Sequence, residues 1–100
     1  MLWRRVPKQS AQLAQKAAEI ADDIDYDFGL ANAYYNLALS EWEQGQYDKS
    51  LSNLLQSGKI FKDLNNLLYV GKVDMLTALV YDDLGEYEKS LSIYYSMLNS

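Results

Sequence analysis

Gly45-Gln46-Tyr47-Asp48-Lys49-Ser50-Leu51-Ser52 returns forty residues later as Gly85-Glu86-Tyr87-Glu88-Lys89-Ser90-Leu91-Ser92. Six of the eight positions are identical, and the other two exchange Gln for Glu and Asp for Glu. The same offset pairs Ala38-Leu39 with Ala78-Leu79, Ile20 with Ile60, Asp23 with Asp63 and Ser10 with Ser50. A fixed period of this size is the signature of stacked helical units, because a single unit cannot bury its apolar face alone and must use the next one.

Reading outward from that stretch gives five helices with very short connections. Pro7 fits a first helical turn, where a missing amide hydrogen costs nothing. From Lys8 to about Ile24, residues Ala11, Leu13, Ala14, Ala17, Ala18, Ile20, Ala21 and Ile24 keep a helical period. Acids at a helix carboxy-terminus oppose its dipole, so Asp22-Asp23-Ile24-Asp25-Tyr26-Asp27 ends this helix, and Asp27 is placed to cap the next. The second helix runs from Phe28 to about Gln44 and stops at Gly45, a residue that tolerates the left-handed closing conformation. The third spans Tyr47 to Lys62, Asn65-Asn66 marks a turn, and the fourth spans about Leu67 to Leu84. Gly85 repeats the break, and Tyr87 to Asn99 is the fifth. Short loops force neighbours antiparallel, and Ala18, Ala38, Gly58, Gly71 and Ala78 are small enough to let backbones approach where helices cross.

Composition bounds the function. With 49% hydrophobic residues the chain has enough apolar material for a core, and no apolar stretch approaches the length of a membrane span. Net charge is -5, but Arg4, Arg5, Lys8 and Lys16 are all in the first sixteen residues, so the remainder is strongly acidic. Such a surface repels nucleic acid and anionic lipid, and the short basic stretch reads as a solvated helix start. Cysteine and histidine are both absent, which removes disulfides, thiol nucleophiles, the usual zinc sites and histidine bases. Asp22, Asp23, Asp25 and Asp27 imitate an alternating calcium loop only in part, since its central glycine and closing glutamate are missing. They read as a solvated turn, and Glu41 with Glu43, and Asp82 with Asp83, as polar helix surface. No glycine-rich phosphate loop is present. The expectation is a noncatalytic chain without metal or cofactor.

The Gly45/Tyr47 and Gly85/Tyr87 pairs carry a resemblance to the tetratricopeptide repeat, in a longer variant of about forty residues per unit. Tyr34, Leu37 and Ala38 match the large, leucine and small positions of the family's first helix, and Ser50, Leu54 and Ser57 match its second. In the second copy Ala78, Gly85, Tyr87, Ser90 and Tyr94 fit, whereas Asp74 stands where Tyr34 stood, Thr77 replaces Leu37 and Met97 replaces Ser57. An unpaired buried carboxylate is costly, so Asp74 is expected to face solvent while Val73, Leu76 and Val80 pack. Ser10, Ala14 and Ala17 resemble the second half of a preceding unit. The resemblance implies an all-α, right-handed antiparallel helical-repeat solenoid of five helices in one domain over 1–100. Its parts are a half unit at 8–24, a full unit at 28–63 and a second at 67–99.

In that family the first helices of successive units line a concave face. Carried onto this chain, that implies a binding surface of Asn32, Tyr35, Asn36, Leu39, Trp42 and Glu43, continued by Lys72, Met75, Leu79, Asp82 and Asp83. Aromatic anchors with polar rims suit a peptide or partner helix. Each residue also has a packing reading: Trp42 over the Gly45 turn, Tyr35, Leu39 and Leu79 against neighbouring helices. Asn36 and Lys72 resemble an asparagine and a lysine of the clamp by which some members hold a peptide carboxylate, but the further polar partners are absent, with Met75 and Leu76 in their place. The long units resemble those preceding output domains in bacterial signalling proteins, which implies a regulatory or sensory module, cytoplasmic or, within a membrane-attached parent, periplasmic. The rival reading is self-association through an apolar end formed by Tyr94, Tyr95, Met97 and Leu98, and small-molecule sensing in the groove is a third.

Overall fold

The computed structural model describes residues 11–16 and 27–99, all in helices or the turns between them. Residues 11–16 are helical (α1) and are followed by α2 (Asp27–Glu43), α3 (Tyr47–Asp63), α4 (Leu67–Leu84) and α5 (Tyr87–Leu98). The expected boundaries hold to within a residue or two from α2 onward. Pro7, Ala17, Ala18, Ile20, Ala21 and the acidic run Asp22 to Asp25 lie outside the described residues. Asp27, expected as a cap, is instead the first residue of α2.

The turns have one construction used three times. Gly45, Asn65 and Gly85 adopt positive φ, at 77°, 56° and 79°, so the left-handed residue recurs every twenty positions. Around Gly45, the amide of Gln46 donates to the Glu41 carbonyl (2.8 Å) and that of Gly45 to the Trp42 carbonyl (3.0 Å). The same double bond recurs from Asn66 to Phe61 and Asn65 to Lys62, and from Glu86 to Tyr81 and Gly85 to Asp82. This is the Schellman closure, which satisfies carbonyls that a helix end would otherwise leave bare. Asparagine serves at the middle turn because its short polar side chain tolerates the left-handed region. Asn66 then caps α4, its Oδ1 accepting from the Tyr69 amide at 3.3 Å.

Each turn sends the chain straight back, so α2 packs on α3, α3 on α4 and α4 on α5, while α2 and α4 also touch. Two serines record the antiparallel register. Ser50 Oγ donates to the Ala38 carbonyl at 2.8 Å and Ser57 Oγ to the Ala31 carbonyl at 2.7 Å, seven residues up one helix and seven down the other. Both serines are fully buried and stand in one stripe of α3 with Leu54, Gly58 and Phe61. Helices α2 and α4 bury residues on more than one face, as helices with neighbours on several sides must: Ala31, Ala33, Ala38, Ser40 and Glu41 in α2, Val73, Leu76, Ala78 and Val80 in α4.

Phe61, with no solvent exposure, is the largest core side chain. Its ring lies 5.6 Å from that of Phe28, edge-on, and 4.9 Å from that of Tyr69, which ties α3 to both α2 and α4. Gly58 permits the α3–α4 approach, because a Cβ there would sit 3.3 Å from Val73 Cγ1. Gly71 has no such role: a Cβ at that position would meet nothing within 4 Å, contrary to the expectation of a close crossing. No helix among the described residues is long and apolar enough to cross a membrane.

Candidate functional site

At 3.6 residues per turn, Asn32, Tyr35, Asn36, Leu39, Trp42 and Glu43 share one face of α2, and Lys72, Met75, Leu79, Asp82 and Asp83 share one face of α4. The structure brings the two faces together at two points. Near the ends of the helices, Trp42 Nε1 donates to Asp83 Oδ2 at 2.6 Å, across a separation of 41 residues. Further along, Lys72 Nζ lies 5.4 Å from the centroid of the Tyr35 ring and 4.8 Å from that of Tyr69. A cation over ring faces is attracted by their negative quadrupoles, so Lys72 is held by rings while remaining exposed. It makes no ion pair with Asp82 or Asp83.

The remaining candidates separate by burial. Asn36 is exposed, Met75 is 44% exposed and Leu79 is exposed at 36%, leaving an apolar strip that a partner can cover. Asn32 and Asp82 are half-buried, and Tyr35, Leu39 and Trp42 pack partly against the core. For Trp42 the partner is therefore Asp83 and the core as well as any ligand. Burial raises the Tyr35 phenol above its ordinary value, so it stays a neutral donor at physiological pH.

Tyr69 belongs to this surface and was missed by sequence reasoning. It lies three residues before Lys72, a spacing that places two side chains together on a helix, and this was the available signal. Asn53 was missed too. Its Nδ2 donates at 2.7 Å to Glu41 Oε1. Glu41 is buried, at 7% exposure, which corrects its reading as polar surface. Desolvation raises its carboxyl pKa, while the Asn53 hydrogen bond and the positive charge of Lys49 oppose the rise.

Asp74 requires a correction as well. It does not stand free in solvent but is half-buried, and burial raises its carboxyl pKa against the opposing pull of Lys62. Val73, Leu76 and Val80 are buried as expected. Asp74 lies on the side of α4 away from Lys72 and Leu79, where the helix forms the floor of two grooves. One, of about 470 Å³, is lined by α3 and α4 and includes Leu51, Leu55, Lys59, Asp74, Thr77 and Tyr81. The other, of about 420 Å³, runs past Lys62, Leu67, Val70 and Asp74 to Ser96 and Met97 of α5. The expected apolar end is divided: Tyr95 and Leu98 are 63% and 80% exposed, whereas Tyr94 and Met97 are half-buried. Tyr87 and Leu91 extend the exposed stripe at helical spacing.

Comparison of the chain with family models, with curated proteins and with solved structures returned no match.

Proposed function

We propose that the chain is a noncatalytic interaction module of the tetratricopeptide-repeat type, coiled as a right-handed solenoid, which binds a peptide or partner helix on the surface shared by α2 and α4. The observation that carries this reading is the pair of links across that surface, Trp42 to Asp83 and Lys72 to Tyr35 and Tyr69. They hold aromatic rings, one cation and one carboxylate in fixed positions around exposed Asn36, Met75 and Leu79. Fixed aromatic anchors lose little conformational freedom on binding, and a partner then gains from burying them. The setting we infer is the regulatory arm of a larger bacterial signalling protein, in the cytoplasm, on the strength of the long repeat units. A clamp for a terminal carboxylate at Asn36 and Lys72 is the less favoured mode, because Lys72 is already engaged by two rings.

The test is a peptide selected against the immobilised chain, titrated into wild type, Trp42→Ala and Tyr35→Ala after circular dichroism has checked that both variants are folded. Truncating a central aromatic anchor costs about 2 kcal/mol, or some thirtyfold in affinity. Unchanged affinity in both folded variants would sink the assignment of this face.

A second reading, self-association through α5, is favoured by the exposed stripe of Tyr87, Leu91, Tyr95 and Leu98. Sedimentation velocity over a wide concentration range decides it: a sedimentation coefficient that stays at the monomer value throughout counts against the stripe as a self-interface.

A further inference from the structure

Two grooves lie beside α4, and three residues that line the larger one depart from the repeat. Forty residues earlier, the positions of Asp74, Thr77 and Tyr81 are held by Tyr34, Leu37 and Glu41. Thus two large side chains of the first unit are replaced in the second by two small polar ones, and both replacements line the 470 Å³ groove. That volume lies within the range of small-molecule sites, of about 300–1,000 Å³.

Two acids of these helices are drawn out of full contact with solvent, Glu41 more deeply than Asp74. Glu41 receives a hydrogen bond from Asn53. Asp74, which stands at the position of Tyr34 and not at that of Glu41, receives no hydrogen bond from any described residue. Thr77 cannot supply one, because its Oγ1 donates to the Val73 carbonyl at 2.7 Å. Lys62 is near enough to favour the ionised form but forms no ion pair with it. The groove therefore combines an apolar wall, an acceptor without a donor, and two lysines, Lys59 and Lys62, whose charge offsets that of the carboxylate. That balance of charge favours a neutral donor over an ammonium group.

We propose that this groove binds a small phenolic molecule, its ring against Leu55, Val73 and Tyr81 and its hydroxyl donating to Asp74. The ligand restores from outside the phenol that the first unit carries as Tyr34. The site is on the opposite side of α4 from the surface proposed for peptide binding, so the two stand or fall separately.

The probes are 4-ethylphenol and 4-ethylanisole, which share the ring but differ in the donor, each titrated into the whole chain and followed by amide chemical shifts. The phenol is expected to move the amides of Gly58, Val73, Asp74 and Thr77 and to bind about tenfold more tightly than the anisole, since a hydrogen bond to an ionised group is at stake. Asp74→Tyr, which fills the groove with the first unit's residue, should abolish the shifts. Thr77→Leu narrows the groove without touching the carboxylate and should weaken binding several-fold, which keeps the test decisive if Asp74→Tyr does not fold. Equal affinity for the two probes overturns the proposal. So do shifts confined to Tyr35 and Trp42, unaltered binding in the folded variants, or no shift in folded wild type up to the solubility limit of the phenol.

Discussion

Glu41 and Asp74 are the two residues whose environment a sequence pattern describes least well. Both are acids inside otherwise apolar helical faces, and both pKa values are raised by desolvation. What separates them is the partner on the next helix. Asn53 offers Glu41 a donor, and none of the described residues offers Asp74 one. For Glu41 the linkage has a definite sign. A carboxyl whose folded pKa lies above its unfolded one stabilises the fold most when protonated, and that contribution is lost as pH rises through the folded value. Gln at position 41 can still accept from Asn53 and carries no charge. Glu41→Gln should therefore be more stable than wild type at neutral pH, by roughly 1 kcal/mol or less, with the difference shrinking in acid below the ordinary glutamate range. Urea midpoints measured in acid and at neutral pH check this, and a difference that grows on acidification would contradict it. Local sequence patterns mark neither acid as drawn inward, because what surrounds each side chain is set by the helix packed beside it.

At the scale of elements, the helices and their ends were legible. The glycines at 45 and 85 and the asparagine at 65 mark turns whose hydrogen bonds are the same in all three cases. Gly45→Ala should cost about 1 kcal/mol, entirely through backbone strain, since a Cβ there would meet no atom within 4 Å. Gly45→Asn should cost less, as the native Asn65 shows the left-handed conformation to be accessible to it. Equal losses for the two, read from denaturation midpoints, would point to a cause other than φ. Ser57→Ala removes the bond to the Ala31 carbonyl and should cost about 1 kcal/mol, although serine at that position reads in sequence only as a small residue. Its hydroxyl acquires a purpose only when α3 lies antiparallel on α2. In principle that register was available: a turn centred on Gly45 pairs residues whose numbers sum to about ninety, which brings Ser50 to Ala38, Ser57 to Ala31 and Asn53 near Glu41.

For the whole molecule, the contact that joins three helices is the cluster of Phe28, Phe61 and Tyr69. Phe61→Ala should cost about 3–5 kcal/mol, a large share of the stability of so small a domain, and broaden or abolish the cooperative thermal transition. Leu67→Ala, at 79% exposure, should change stability by less than about 0.5 kcal/mol, and a larger loss would show that Leu67 is covered in solution. The chain by itself determined that the described residues are helical and where α2 to α5 begin and end. Those properties depend on periodicity, capping and turn chemistry, all of which act within a few neighbouring residues. The candidate surface was half legible: the family resemblance implied Tyr35, Trp42 and Lys72, but only the contact of α2 with α4 joined Trp42 to Asp83 and Lys72 to Tyr35. Only the tertiary structure decided that Glu41 is buried, that Asp74 borders a groove and that Gly71 crosses nothing. These are properties of the space between helices, and that space is set by the summed shapes of side chains far apart in sequence.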